Sequence, residues 1–563
     1  MSTRRFLALV LASGVLVVSG LGASGAMAQT GAVGSPEIVP AEHGVYALLH
    51  AQRVAGRLPG YRHEVLPLAR GTVLAHLDSL RDQPLAPGAR RWVDAYRREF
   101  APPLEAVHAF VGDGDAGLLD ISAERYLAFV RTDDGEFRIG ARGGIQGRTS
   151  RGLTATQRPL EAASGAALLP ELSLGGHWRD VVGFTSHTFN GLQVTGDSRV
   201  LQADPDLEPL YYVSVTDVPP GSFDRATASV RVARGPFSAE IANERLRIGP
   251  SASQPLILAS GVDYFPFVRA GIETRPVRYQ FVHAALSDQS RFVAEDGDFF
   301  LQSPERYFAM HRFEAHARWG SVAFTEAVVY GQRGPEIAYL NPVFPIKPAE
   351  HALWDRDNSL FAADAVLRPL AGVELYGTYL ADDLNFSRIG ETVNNNNKWA
   401  AQAGASVAAL GATAFAEYTR IEPFVYTHRF VADGSYFNSY THNGFGLGHP
   451  LGPNADQWLA GLEAWLPGGL RAKGAVRYAR RGENTVDASG APVIVGGDVS
   501  LGAQPDPFVK DFLSGEVFTG PGVELDVTWE PVNSLQTRLF LDWQSWDPGE
   551  DRFFLRFQAS VAL

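Results

Sequence analysis

The sequence predicts an all-β transmembrane fold: an antiparallel outer-membrane β-barrel of about 16–18 strands with a small N-terminal α-helical periplasmic segment. Three observations predict it. The last stretch, Asp551 to Leu563, alternates strictly: Phe553, Leu555, Phe557, Ala559, Val561 and Leu563 are apolar, with Arg552, Arg556, Gln558 and Ser560 between them. Beyond Gln29 no apolar run approaches the roughly 20 residues a membrane helix needs, although 45% of the chain is hydrophobic. Finally, short turns alternate with long connections, the asymmetry of barrels with tight periplasmic turns and long outer loops.

The N-terminus reads as an export signal. Arg4 and Arg5 precede an apolar stretch ending in Ala26-Met27-Ala28, which is the pattern of a cleavable secretory signal over residues 1–28. Residues 29–40 read as a flexible leader. Residues 41–110 read as a helical periplasmic segment. Val45, Leu48, Leu49 and Gln52 recur at helical spacing, as do Val73, Leu74, Leu77 and Leu80, then Trp92, Val93, Tyr96 and Phe100. Pro59-Gly60 and the stretch from Pro84 to Gly88 break the pattern into three short helices. Arg53, Arg57, Arg81, Arg90, Arg91 and Arg97 are expected on their wet faces.

From about residue 133 the period becomes two, and residues 133–563 read as the barrel. Leu470, Ala472, Gly474, Val476 and Tyr478 are expected to face lipid. Arg471, Lys473, Arg477 and Arg481 then face a watered lumen, which tolerates cations that a dry sandwich core does not. Val523, Leu525, Val527 and Trp529 form another wall face, as do Leu535, Leu539, Leu541 and Trp543. Counting back from the C-terminus makes the turns near 530–534, 467–469, 410–411, 369–372, 320 and 233–236 periplasmic. The connections 332–356, 382–397, 427–456 and 482–518 are then extracellular. The alternation is least legible over 149–223.

Composition narrows the function. The chain has no cysteine, which removes disulfides and thiolate metal sites. A formal charge of −13 argues against a nucleic-acid partner. There is no G-x-S-x-G elbow, no H-E-x-x-H, no P-loop and no dinucleotide fingerprint. Carboxylates are common, but no pattern marks two as convergent. Neither a catalytic residue, a cofactor nor a metal is expected. The acidic string Glu295-Asp296-Gly297-Asp298 reads as a solvated turn.

The long outer loops are the informative ones. Aromatic rings among hydrogen-bonding groups suit sugars, whose C–H faces stack while their hydroxyls pair. Tyr339 and Trp354 in one loop, and Tyr426, His428, Tyr436, Tyr440 and His442 in another, are the polysaccharide-binding candidates. The same rings are equally suited to packing the loops into a lid. The lumen charges Arg471, Lys473, Arg477, Arg481 and Arg538 either guide an anionic solute or neutralise acids such as Glu463, Glu524, Asp526 and Asp542 across the lumen.

At these loops the chain resembles the capsule assembly protein Wzi family of outer-membrane barrels. The resemblance is carried by RLRIGPS at 245–251, RYFAMHRFEAHARWG at 306–320, FTEAVVYGQRGPEIAYLNP at 324–342, DRDNSLFAADA at 355–365, EYTRIEPFVYTH at 417–428 and LGHPLGPNAD at 447–456. It implies an 18-stranded barrel with periplasmic helices, outer loops folded over the pore, and a lectin-like, non-catalytic role in holding capsular polysaccharide. The implied partners are capsular or extracellular polysaccharide, outer-membrane lipid and, during biogenesis, the barrel-assembly machinery. The implied location is the Gram-negative cell outer membrane. An open porin or glycan-permeable channel is the alternative.

Overall fold

The computed structural model describes residues 34–102, 126–154, 158–210, 221–287, 305–382, 397–429, 437–502, 510–532 and 535–562, and the backbone of four short strands between them, Val107–Ala109, Val213–Ser214, Arg291–Glu295 and Asp298–Gln302. Eighteen antiparallel strands close into one barrel. They are β1 (Gly135–Leu153), β2 (Pro159–Trp178), β3 (Val182–Gly196), β4 (Ser222–Arg234), β5 (Phe237–Glu244), β6 (Phe265–Glu273), β7 (Val277–Leu286), β8 (Arg306–Ala317) and β9 (Gly320–Gly331). The second half comprises β10 (Asn358–Leu370), β11 (Val373–Asp382), β12 (Lys398–Ala409), β13 (Ala412–Ile421), β14 (Ala455–Leu466), β15 (Leu470–Glu483), β16 (Glu516–Val532), β17 (Leu535–Gln544) and β18 (Arg552–Ala562). The terminal strand closes the wall, pairing Ala559 with Ile145 and Phe557 with Gly147 on β1. Closure leaves no unpaired backbone edge in lipid.

Among the described residues one end carries only tight turns, at 179–181, 235–236, 274–276, 318–319, 371–372, 410–411 and 467–469. The other carries the long connections. The strand count sits at the upper limit of the expected range. The region of weak alternation resolves into β2, β3 and the second half of β1, whose faces carry few bulky apolar side chains.

Outward positions follow the expected parity. Val476, Tyr478, Leu462 and Trp458 are exposed on the wall. Tyr379 and Trp399 stack near the long-loop end, and Tyr418 and Trp458 meet there with tilted rings 4.5 Å apart. Trp178, Trp319 and Trp529 ring the short-turn end. Two aromatic girdles bounding an apolar band mark the two membrane interfaces. No helix among the described residues is long and apolar enough to cross a membrane.

Three helices, α1 (Val45–Val54), α2 (Arg70–Ser79) and α3 (Pro87–Phe100), lie where the helical spacing puts them. They share one core built on Leu48, Leu49, Val73, Leu77, Trp92 and Val93. This unit closes the short-turn end. Gly372 N–H donates to Val54 O (2.8 Å), Arg62 donates to the carbonyls of Thr274 and Arg275 (both 2.6 Å), and Arg91 to that of Glu530 (3.0 Å). Gly88 permits the closest approach, since a Cβ there would lie 2.1 Å from Trp465 O.

The helix arginines therefore correct one expectation. Arg53 does not lie on a solvated face: it is buried, donating to Glu64 (2.6 Å) and to Glu374 on β11 (2.8 Å). Arg91 binds a barrel turn. The reason is docking: a helical unit set into a polar lumen meets carboxylates and turn carbonyls where an isolated segment meets water. Burial by itself favours the neutral form of Glu64, but the Arg53 guanidinium overrides it and holds the carboxyl below its usual range.

Replacing Arg53 by Met leaves two buried carboxylates facing each other without their cation. The expected cost is about 3–5 kcal/mol of plug docking. It is measured as earlier protease cleavage between α1 and α3 on heating, while the barrel's heat-resistant migration persists. Adding Glu374→Met is expected to recover part of the loss.

Candidate functional site

The long-loop mouth of the barrel is the candidate site. By parity the connection 245–264 is an outer loop, yet it turns inward and fills the lumen. Arg247–Ile248 pairs antiparallel with Val65–Leu66 of the helical unit. Ser251 Oγ and Tyr376 Oη both donate to Glu417 Oε2 (2.7 and 2.8 Å). Leu256, Ile257, Leu258 and Val262 join the largest apolar core, with Phe265, Phe308, Met310 and Val329 from the inner wall. The hydrophobic interior thus lies inside the outer half of the barrel.

The aromatic loop 422–454 lies on this inward strap. Tyr426 Oη donates to Leu256 O (2.7 Å) and Tyr440 Oη to Ile257 O (2.6 Å). Their rings stack on each other at 5.5 Å, and each residue is only 1% exposed. His442 Nδ1 accepts from Ser287 N–H (3.0 Å), and its ring meets the edge of Phe265. Ala259 N–H donates to Leu447 O (2.8 Å). Lid and strap are one hydrogen-bonded layer.

These contacts sort the seven polysaccharide-binding candidates. Tyr426, Tyr440 and His442 pack the lid and present no ring face to solvent, and His428 is also buried. Tyr339 is buried too, but outside the barrel: its Oη donates to Asp357 (2.8 Å) and its ring lies 5.0 Å from Tyr330 on the outer wall. Trp354 alone among the described six is open, at 90% exposure, held at φ +74°. Tyr436 lies outside the described residues. The correction has a physical cause. A tyrosine satisfies its hydroxyl on a buried strap carbonyl as readily as on a sugar, so aromatic content marks a lid and a binding face alike.

Each lumen charge has a carboxylate partner. Arg471 bonds Glu463 (2.6 Å), Lys473 lies 3.8 Å from Glu524, Arg477 reaches Asp542 (2.5 Å), Arg481 reaches Glu483 (3.2 Å), and Arg538 bonds Asp526 (2.9 Å). Further ladders join Arg278 and Arg312 to Glu314 and Asp364, and Arg148 and Arg556 to Asp204. The pairing neutralises the lumen rather than charging it. Between the helical unit and the wall remains a polar chamber of about 720 Å³, lined by Arg142, Glu171, Arg225, Arg247, Lys473 and Glu530 among others.

Glu37, Glu136 and His177 bring ligand atoms within 4.8 Å of one another near the short-turn end. Arg138 pairs with both acids. Its guanidinium already supplies the positive charge that a metal would bring, so this is a structural ion cluster tying the leader to β1. The acidic string at 295–298 falls in a hairpin whose side chains lie outside the described residues.

No family model matches the sequence, and no curated protein matches it. Solved structures do. Wzi of Escherichia coli, described as an outer-membrane protein involved in group 1 capsule assembly and a carbohydrate-binding β-barrel, matches with 13% identity and a TM-score of 0.57, covering 93% of this chain and 99% of that one. OpdL of Pseudomonas aeruginosa matches with 10% identity over 77% of this chain and 99% of its own, TM-score 0.43. OprD of the same organism matches with 13% identity over 76% and 95%, TM-score 0.39. This chain has the fold of Wzi.

Burial pushes His442 and His449 of the lid down to about 4 from an ordinary 6.5. The unfolded lid takes up protons near 6.5 while the folded lid resists them until about 4. Lid stability is therefore expected to fall as pH drops through that window and to level off below it. Melting temperature followed from pH 7.5 to 4.5 checks this, and His442→Gln is expected to flatten the slope.

Proposed function

We propose that this outer-membrane barrel binds a surface or capsular polysaccharide non-covalently at its outer face and helps assemble or anchor it at the cell surface of a Gram-negative bacterium. The observation that carries the reading is the layered closure of the lumen. Strap 245–264 and lid 422–454 are hydrogen-bonded to each other, and strap and helical unit share a β-pair. A mouth closed by fixed, hydrogen-bonded loops offers a surface to a polymer instead of a path through the wall. The fold shared with a carbohydrate-binding barrel supports the same reading. Long loops kept at this cost in chain ordering are seldom without function.

Among the named candidates, Trp354 and Tyr436 are the residues assigned to sugar stacking. Trp354 offers an open indole face on a loop held by the Arg333–Asp357 pair at its base (2.6 Å). Tyr426, Tyr440 and His442 serve by holding the lid. The reading is non-catalytic. Binding energy comes from ring faces and hydroxyl pairing, and no bond is broken.

Two measurements test this. Trp354→Ala and Tyr436→Ala are each expected to weaken binding to purified capsular polysaccharide roughly tenfold, the cost of truncating a central aromatic contact. Tyr440→Phe, which removes only the bond to Ile257 O, is expected to lower lid stability by about 1 kcal/mol and leave affinity alone. Equal affinity in all three variants would remove the aromatic-stacking assignment. In planar bilayers the purified protein is expected to give no steady porin-sized current. A steady current would replace the surface-binding reading with the channel alternative.

A further inference from the structure

The loop between β9 and β10 meets the lid at its base, where Asn438 Nδ2 donates to Arg356 O (2.8 Å). It folds down the outside of the wall. Inward residues of β8 and β9, such as Phe308, Met310, Ala327 and Val329, belong to the lumen core. Residues of the opposite parity, Ala309, Val328 and Tyr330, pack instead against Tyr339, Ile346 and Ala349 of this loop, the last two on helix α4 (Ile346–Ala352). Tyr279 Oη donates to Pro342 O. Tyr279 is an outward residue whose ring lies 4.6 Å from that of Phe313. It stands seven residues from the outer end of β7, which is roughly 23 Å along the strand at about 3.3 Å per residue, or about 18 Å of height at a strand tilt of about 40°. The loop therefore reaches deep into a band whose apolar height is about 25 Å.

The wall beneath it is polar where lipid-facing barrel walls are apolar. His311 Nδ1 lies 3.0 Å from Glu326 Oε1, and His283 Nε2 lies 2.7 Å from Tyr330 Oη. All four are outward-facing and buried. The loop shields them, and its own outer surface is greasy: Ile337 is 79% and Val343 83% exposed, and Phe344 is exposed beside them. Between Arg333 and Lys347 the only charged residue is Glu336, and it lies 3.5 Å from Arg333.

An irregular backbone is costly in hydrocarbon because unpaired N–H groups find no water. This loop reduces that cost. Pro335, Pro342, Pro345 and Pro348 have no N–H to satisfy. The N–H groups of Tyr339 and Leu340 both donate to Glu336 O, Val343 N–H to Asn341 Oδ1, and Phe344 N–H to Asn341 O. On the same wall strands Val277, Phe313, Val322 and Phe324 are exposed as lipid-facing side chains.

We propose that segment 334–346 is a membrane-contacting lobe whose Ile337, Val343 and Phe344 sit among the acyl chains of the outer leaflet. The lobe replaces the apolar wall over a polar patch and fixes the depth and rotation of the barrel in the bilayer.

The chain has no cysteine, so single labels report one site each. Full-length Ile337→Cys and Val343→Cys proteins, labelled with a fluorophore and reconstituted in phosphatidylethanolamine–phosphatidylglycerol vesicles, are compared with two references. Val476→Cys faces lipid on β15, and Ala488→Cys lies on an exposed outer loop. Heat-resistant migration confirms that each variant is folded. Labels at 337 and 343 are expected to be quenched by acyl-chain nitroxides within twofold of the Val476→Cys label. They are expected to be shielded severalfold from aqueous iodide relative to the Ala488→Cys label. Iodide quenching equal to that at Ala488→Cys would overturn the proposal by placing the lobe in water. Shielding from both quenchers would overturn it in favour of a protein-covered face, such as a second copy.

Discussion

Closure of the hydrogen-bonded wall is the constraint from which the rest follows. In lipid every strand must find two neighbours, so β18 must return to β1. Closing eighteen strands creates a lumen too wide for wall side chains alone to fill. The period-two pattern then puts apolar residues outside and polar ones inside. An interior of that size and polarity must be watered, charge-paired or occupied by other parts of the chain. Here charge pairing and occupation by other parts of the chain both occur, in different layers.

At the short-turn end the occupant is the helical unit, seated by Arg53 between Glu64 and Glu374 and by Arg62 and Arg91 on turn carbonyls. Between wall strands the occupants are ion-pair ladders. Such pairs add modest net stability, but a partner left alone is expensive, which is why the cations come with acids on neighbouring strands. In the outer half the occupant is apolar. The strap 245–264 brings leucines and isoleucine into a cavity whose inner wall carries phenylalanine, methionine and valine. The lid then closes over a dry core, and its buried histidines are held neutral by the same dryness.

The loop after β9 shows the same physics on the other side of the wall. Outward His311, Glu326 and His283 need a cover that lipid does not provide, and the proline-rich loop provides it. One chain thus buries polar wall residues from outside and apolar strap residues from inside. Aromatic side chains serve both jobs: Tyr426 and Tyr440 inside, Tyr339 outside.

The sequence by itself determined whatever depends on period and order. Alternation in residues 551–563 and 470–478 marked strands and their faces, since successive side chains on a strand must point to opposite sides. Helical spacing marked α1 to α3. Turn lengths sorted the two ends of the barrel. The resemblance blocks pointed to the fold that the solved Wzi structure shares. Where alternation is blurred, over β2 and β3, small residues blurred it. Only the tertiary structure decided where the loops go. Nothing in the spacing of Tyr339, Trp354, Tyr426 and Tyr440 tells that the first lies on the outer wall, the second is open, and the last two lie under the lid. Nor does Arg53 announce, by its place on a helix, that it is buried against β11. Period is a local property of the backbone. Burial of a loop side chain depends on which distant surface the closed wall brings to meet it.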